Sequence, residues 1–315
     1  MKPDYLHKIP ENTRELLESI ERNSDITKNN FSSETATNLG GSITHYKISE
    51  HPCGNIVLLP GMASNTNIDP LMRVVRLWSL HHNYNVYALN HFFGDFKMEL
   101  SKEDADKQTY LEYIAVITRG LNEISEQVAG KWTAIVSHSM AARGTIEYFN
   151  DLAENNKKHN FAMAALFGPF ASQESTDNVW RSYRMKHGLS HISKEEFAKT
   201  PVSFNSPSNP DPVNTHISFY PPVLDPKTYS LDQMEKWRHH TVFVAGGKDR
   251  RAPAAAHYEV YRKMIDHKME NAGKFKYVNF PESKHSFMDS YKDYAAVLTL
   301  IKHLRMKKWS AEHTA

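Results

Sequence analysis

Six short apolar runs, separated mostly by segments of helical periodicity, restrict this chain more than any other feature. They are GNIVLLPG (54–61), NVYALNHF (85–92), KWTAIVS (131–137), FAMAALFGPF (161–170), TVFVAGGKD (241–249) and FKYVNFPES (275–283). A strand that is apolar without alternation is buried on both faces, as happens when helices cover both sides of a parallel sheet. Helical patterning over 69–82, 101–128, 140–152 and 286–304 supplies the crossovers that parallel neighbours need. The fold class is therefore α/β: a mostly parallel, doubly wound sheet flanked by helices. TRELLESIERN predicts an amphipathic N-terminal helix over about 11–23. SITHYKISE (42–50) reads as an early strand or half of a hairpin, and no internal repeat is visible.

The alternation breaks once, over 171–237, which divides the chain into a core (1–170 and 238–315) and an insert. The insert holds helix-like pieces, NVWRSYRMKHGL and SKEEFAKT, and then FNSPSNPDPVNTH, whose density of Pro, Asn and Ser predicts irregular chain. Its aromatics, among them Trp180, Tyr183, Phe197 and Phe219, favour a cap packed over something and are the expected substrate-binding residues.

Composition closes off several classes. With 38 basic and 36 acidic residues among 315, the charge is too balanced to argue for nucleic acid or an anionic membrane. Cys53 is the single cysteine, so neither an intramolecular disulfide nor a cysteine-rich zinc module can form. The N-terminus lacks an apolar signal-type segment and no stretch has the length of a membrane span; a cytoplasmic location is the default expectation. No metal, organic cofactor, nucleic acid or membrane partner is expected, and the sequence sets no oligomeric state.

The third run passes from strand to helix through Ser137-His138-Ser139-Met140-Ala141. A strand that turns sharply into a helix at the carboxyl edge of a parallel sheet exposes the turn residue where ligands bind. Such a turn demands small residues two before and two after its apex, as Ser137 and Ala141 are. Ser139 would then project its hydroxyl, and the Met140 amide would point into the site from the helix start. A structural helix-start serine is the competing reading. A serine hydroxyl needs an imidazole to take its proton, and the imidazole needs a carboxylate to fix its tautomer. Asp249 follows one apolar run and His285 follows the last, giving the order Ser, Asp, His. Glu174 and Asp177 are the alternative acids; Asp249 could instead cap the helix beginning near Pro253.

From about Ser42 to Leu304 the sequence resembles the α/β-hydrolase fold superfamily, in its serine esterase and lipase-like members with a cap insert. The likeness rests on the elbow at 137–141, a histidine before its serine, the Gly246-x-x-Asp249-x-x-x-Pro253 loop, the His285 loop, and a break after Phe170 where that superfamily inserts its cap. The resemblance implies a second oxyanion donor in LLPGMASN, at the Met62 amide with Ala63 as neighbour, although Pro60 stands where a histidine is common. It implies a serine-dependent carboxylic ester hydrolase: Ser139 as nucleophile, His285 as base and acid, Asp249 as orienting acid, and the Met62 and Met140 amides as oxyanion donors. The expected partner is a small-molecule ester or thioester. Thioesterase, acyltransferase or aminopeptidase activity on the same residues, or ligand binding without catalysis, are the alternatives. His81-His82 and His239-His240 lack an acidic cluster and read as solvated loop residues rather than metal ligands.

Overall fold

The computed structural model describes residues 11–32, 40–61, 64–67, 69–91, 110–169, 181, 185, 188–193, 201–206, 209–216, 231–288, 292–293, 295–297 and 299–302. The strands are β1 (Asp25–Ser32), β2 (Gly40–Lys47), β3 (Asn55–Leu59), β4 (Asn85–His91), β5 (Thr133–His138), β6 (Met163–Phe167), β7 (Pro201–Ser206), β8 (Asn209–His216), β9 (His240–Gly246) and β10 (Phe275–Phe280). The helices are α1 (Glu11–Arg22), α2 (Pro70–His81), α3 (Tyr110–Gln127), α4 (Met140–Glu154), α5 (Leu231–Glu235) and α6 (Ala254–Asp266). Helical residues at 292–293, 295–297 and 299–302 close the described chain.

Eight strands form one sheet in the order β1-β2-β4-β3-β5-β6-β9-β10. β1 and β2 are antiparallel, as are β2 and β4, whereas every pairing from β4 through β10 is parallel. The apolar runs owe their continuity to this placement. In β3, Val57 and Leu59 pack on one side with Tyr113, Val116 and Ile117 of α3 and with Ala141, Ala142 and Ile146 of α4. The intervening Ile56 and Leu58 pack on the other side with Leu71, Met72 and Val75 of α2 and with Val297 and Ile301 near the end of the chain. Successive side chains point to opposite faces, so a strand covered on both faces must be apolar at every position.

α2 begins where it does because Asp69 caps it. The Asp69 carboxylate accepts the amides of Leu71 and Met72, and Pro70 takes the first helical position, where its missing N–H costs nothing. The helix ends at His81, and two residues on Asn83 turns the chain at φ 59°, a conformation asparagine tolerates better than most residues.

Three differences from the sequence reading have physical causes. β1 escapes detection because residues 25–30 are all exposed, so no apolar alternation marks this edge strand and pairing with β2 alone defines it. The described residues of FNSPSNPDPVNTH, 204–206 and 209–216, are not irregular: β7 and β8 pair as an antiparallel ribbon, with Val202 opposite Thr215 and Phe204 opposite Val213. Pro210 and Pro212 fit because the register shifts between Phe204 and Ser206, where β8 spends extra residues, and both strands of a ribbon are edges. His239 is not solvated. It is 2% exposed and packs against Trp237 and Phe149, with ring centroids 5.2 and 3.7 Å away, whereas its neighbour His240 is exposed.

Candidate active site

β5 runs through the middle of the sheet, and the Ser139 amide donates to the Phe167 carbonyl at the end of β6 (2.8 Å). The chain then reverses into α4 within one residue, forcing Ser139 to φ 56° and ψ −121°. Positive φ is uncommon for a residue with a Cβ and costs on the order of 1–3 kcal/mol, so the surrounding packing must impose it. Ser137 and Ala141 are fully buried on either side, and Gly61 lies close enough that a Cβ there would come 3.2 Å from Ser139 Cβ. Bulk at any of these positions would close the turn. Met140 is the first residue of α4, so no preceding carbonyl of the helix is there to accept its amide. That amide sits at the positive end of the helix dipole, beside Ser139.

Ser139 Oγ lies 2.8 Å from His285 Nε2, and His285 Nδ1 lies 2.7 Å from Asp249 Oδ2. The acid loop is held from below: Asp249 Oδ1 accepts the amides of Arg251 (2.8 Å) and Ala252 (3.0 Å). The two loops meet through bare backbone. A Cβ on Gly247 would lie 2.3 Å from the Pro281 carbonyl oxygen, and one on Gly246 would lie 2.5 Å from that of Ser283. The Gly247 amide donates to Phe280 O and the Lys248 amide to Ser283 O, which fixes the spacing of Asp249 and His285. Gly168, at φ 51°, leaves room for both: a Cβ there would sit 3.3 Å from Asp249 Oδ2 and from His285 Nδ1.

Burial and charge set the protonation states. Burial would raise the Asp249 pKa, but the His285 charge and hydrogen bond, with the Ala252 and Arg251 amides, outweigh it and keep the carboxyl below its ordinary value. His285 is lowered: burial disfavours its cation and the His138 and Arg251 charges act the same way, against the stabilising pull of Asp249. His285 is therefore neutral at physiological pH. With Asp249 accepting at Nδ1, the proton sits there and Nε2 is free to accept from Ser139.

The structure thus brings together Ser139, His285, Asp249 and the Met140 amide. Met62 and Ala63 lie outside the described residues, as do Trp180, Tyr183, Phe197 and Phe219 of the insert and the alternative acids Glu174 and Asp177. Two neighbours were not anticipated as site residues. Asp69 Oδ2 lies 3.0 Å from Nδ1 of His138, and His138 Nε2 lies 2.8 Å from the backbone carbonyl of His285. The only sequence signals for them are the Asp-Pro helix start at 69–70 and a histidine next to the elbow serine. Among the described residues no group of His, Cys, Asp and Glu could hold a metal ion, and no helix is long and apolar enough to cross a membrane.

No protein-family model and no curated protein sequence matches this chain. Solved structures do. An esterase of Pyrococcus furiosus superposes with a TM-score of 0.57 at 10% identity, over 91% of this chain and 92% of that one. Est1E of Butyrivibrio proteoclasticus, with ferulic acid bound, gives 0.59 at 10% identity over 91% and 96%. The mouse alpha/beta hydrolase domain-containing protein 10 gives 0.57 at 13% identity over 90% and 99%. The chain has the α/β-hydrolase fold.

Proposed function

We propose that this protein is a serine-dependent hydrolase of carboxylic esters working through an acyl-enzyme. The observation that carries the reading is the unbroken line from Ser139 Oγ through His285 to Asp249, with the serine held at positive φ on the elbow. In the first half-reaction Ser139 Oγ attacks the ester carbonyl carbon while His285 Nε2 takes the hydroxyl proton. The carbonyl oxygen gains negative charge opposite the Met140 amide, with the Met62 amide as the second donor. His285 returns its proton to the leaving alcohol oxygen, and the acyl group stays on Ser139. Water repeats the sequence in reverse and frees the acid. Asp249 remains a carboxylate throughout and stabilises the imidazolium that forms at each step.

The insert 171–237 leaves the core between β6 and β9, whose carboxyl ends carry Gly168 and the Asp249 loop. It departs from the carboxyl end of β6, on the edge that carries Ser139, and rejoins at the amino end of β9; in this reading it acts as a cap, with Trp180, Tyr183, Phe197 and Phe219 as its apolar contacts to substrate. The similarity to esterases and to a thioesterase domain from the curacin biosynthetic pathway (TM-score 0.53, 12% identity) fits small acyl substrates. The test is turnover of short-chain aryl esters, with acyl thioesters in parallel, by the parent and Ser139→Ala. Ester hydrolysis that disappears in the variant supports the proposal. No turnover by the parent, or equal turnover by both, refutes it.

A further inference from the structure

His138 occupies an unusual electrostatic position. Its Nε2 faces the His285 backbone carbonyl oxygen at 2.8 Å, and its Nδ1 faces Asp69 Oδ2 at 3.0 Å. A carbonyl oxygen can only accept, and so can an ionised carboxylate. Both ring nitrogens must then donate, which a neutral imidazole cannot do. The alternative, a protonated Asp69 donating to Nδ1, places the same number of protons in the pair. Asp69 is pinned as the acceptor by more than His138: Oδ1 takes the Leu71 and Met72 amides and Oδ2 is 3.4 Å from the Gly61 amide. Phe287 walls off the His138 ring, with centroids 6.1 Å apart and the two rings nearly perpendicular.

We infer that Asp69 and His138 form a buried carboxylate–imidazolium pair that positions His285 through its backbone carbonyl and, through its charge, sets the pH at which His285 becomes a competent base. This rests on the proposed role of His285. The pair ties together three loops that must keep register: the turn after β3 through Gly61, the elbow through His138, and the histidine loop through the His285 carbonyl. Both residues are positioning residues; neither touches the serine hydroxyl.

The charges around the pair agree. Burial would lower the His138 pKa, but the Asp69 charge and hydrogen bond, the His285 carbonyl and the Asp249 charge raise it overall. Burial would raise the Asp69 pKa, but the His138 charge and hydrogen bond and the Met72 and Gly61 amides bring it down. The charged or titratable groups facing His285 are Asp249, His138 and Arg251, and His257 of α6 lies within reach of both Asp249 and His285. Of these, His138 has its ring centroid 5.2 Å from that of His285.

Asp69→Asn isolates the charge. The side-chain oxygen can still cap α2, and its NH₂ can donate to His138 Nδ1, leaving a neutral imidazole whose Nε2–H still holds the His285 carbonyl. Removing a cation about 5 Å from His285, partly offset by losing the more distant Asp69 charge, moves the acid limb of the rate up by about one pH unit at an effective dielectric of ~20–40. The readout is the pH dependence of Ser139 labelling by a fluorophosphonate. A limb that stays where it is in the parent overturns the charge role. Because the variant could fail to fold, imidazole nitrogen NMR on the unsubstituted protein and on Ser139→Ala provides the second measurement. His138 should carry protons on both nitrogens at pH 7.5, when exposed histidines have lost one; a single neutral tautomer there overturns the pair. If Ser139 is never labelled, the hydrolase reading fails, and the ring-proton result still decides the pair.

Discussion

Asp249→Asn should abolish most activity while leaving the fold intact, and the structure says why the amide cannot rescue itself. Oδ1 accepts two backbone amides, from Arg251 and Ala252, while Oδ2 alone faces His285. In the variant the amide oxygen must stay on the two N–H donors. Reversing it would point NH₂ at both and leave them unsatisfied, at about 1–3 kcal/mol each. The NH₂ therefore donates to His285 Nδ1, and the imidazole proton moves to Nε2, facing Ser139. The base is then blocked at the atom where it must accept. Loss of kcat should be ~10⁴-fold, equivalent to about 5.5 kcal/mol of barrier. Stability should change by no more than about 1 kcal/mol, because the two backbone hydrogen bonds survive. Initial rates on a short-chain aryl ester, with a denaturation curve on the same preparation, measure both. Activity within tenfold of the parent would refute the reasoning and send the search for the acid to Glu174 and Asp177.

Two further outcomes follow from buried histidines and from the insert. His91 and His257 are each lowered by burial to a pKa of about 4. Below pH 6.5 the unfolded chain binds protons that these folded residues refuse, so stability falls as pH falls, by about 2 kcal/mol per residue at pH 5. His138 works in the opposite sense: its raised pKa gives stability that is whole below 6.5 and lost only on the alkaline side. His91 and His257 together account for roughly 4 kcal/mol of lost stability between pH 7.5 and pH 5, and His159 and His239, also lowered by burial, act in the same direction; equal urea-unfolding values at the two pH values would contradict the burial of these histidines as neutral rings. Alanine at Trp180, Tyr183, Phe197 or Phe219 should change the preference among acyl chain lengths by roughly ten- to a hundredfold, with less effect on an acetyl ester. Unchanged preference in all four would mean that the insert faces away from the site.

The parallel core is legible because burial on both faces leaves no room for alternation. Val57 and Leu58 are both fully buried, on opposite sides, and the sequence reads as an apolar run. The elbow is legible for a steric reason, since only small residues at 137 and 141 let Ser139 take positive φ. Asp249 and His285 follow from strand-end position and chain order. What the sequence hides is pairing across distance. Asp69 stands only at the start of a helical segment, and nothing in the run of residues shows that it meets His138, 69 positions on. The ring stack that buries His239 depends on Phe149 and Trp237 arriving from different elements. β1 and the β7–β8 ribbon carry polar residues and prolines that edges tolerate and central strands do not, so their pairing is set by tertiary neighbours.

The central claim is that Ser139, alone among the serines, is an activated nucleophile. Its hydroxyl lies 2.8 Å from a buried imidazole whose other nitrogen is held by a carboxylate. Ser64 and Ser137 are also buried, yet neither hydroxyl makes such a contact among the described residues. Reaction with a fluorophosphonate followed by peptide mass mapping distinguishes them. One adduct per chain, on the peptide containing Ser139 and absent in Ser139→Ala, is the predicted result; an adduct on Ser64 or Ser137, or no adduct at all, would contradict it.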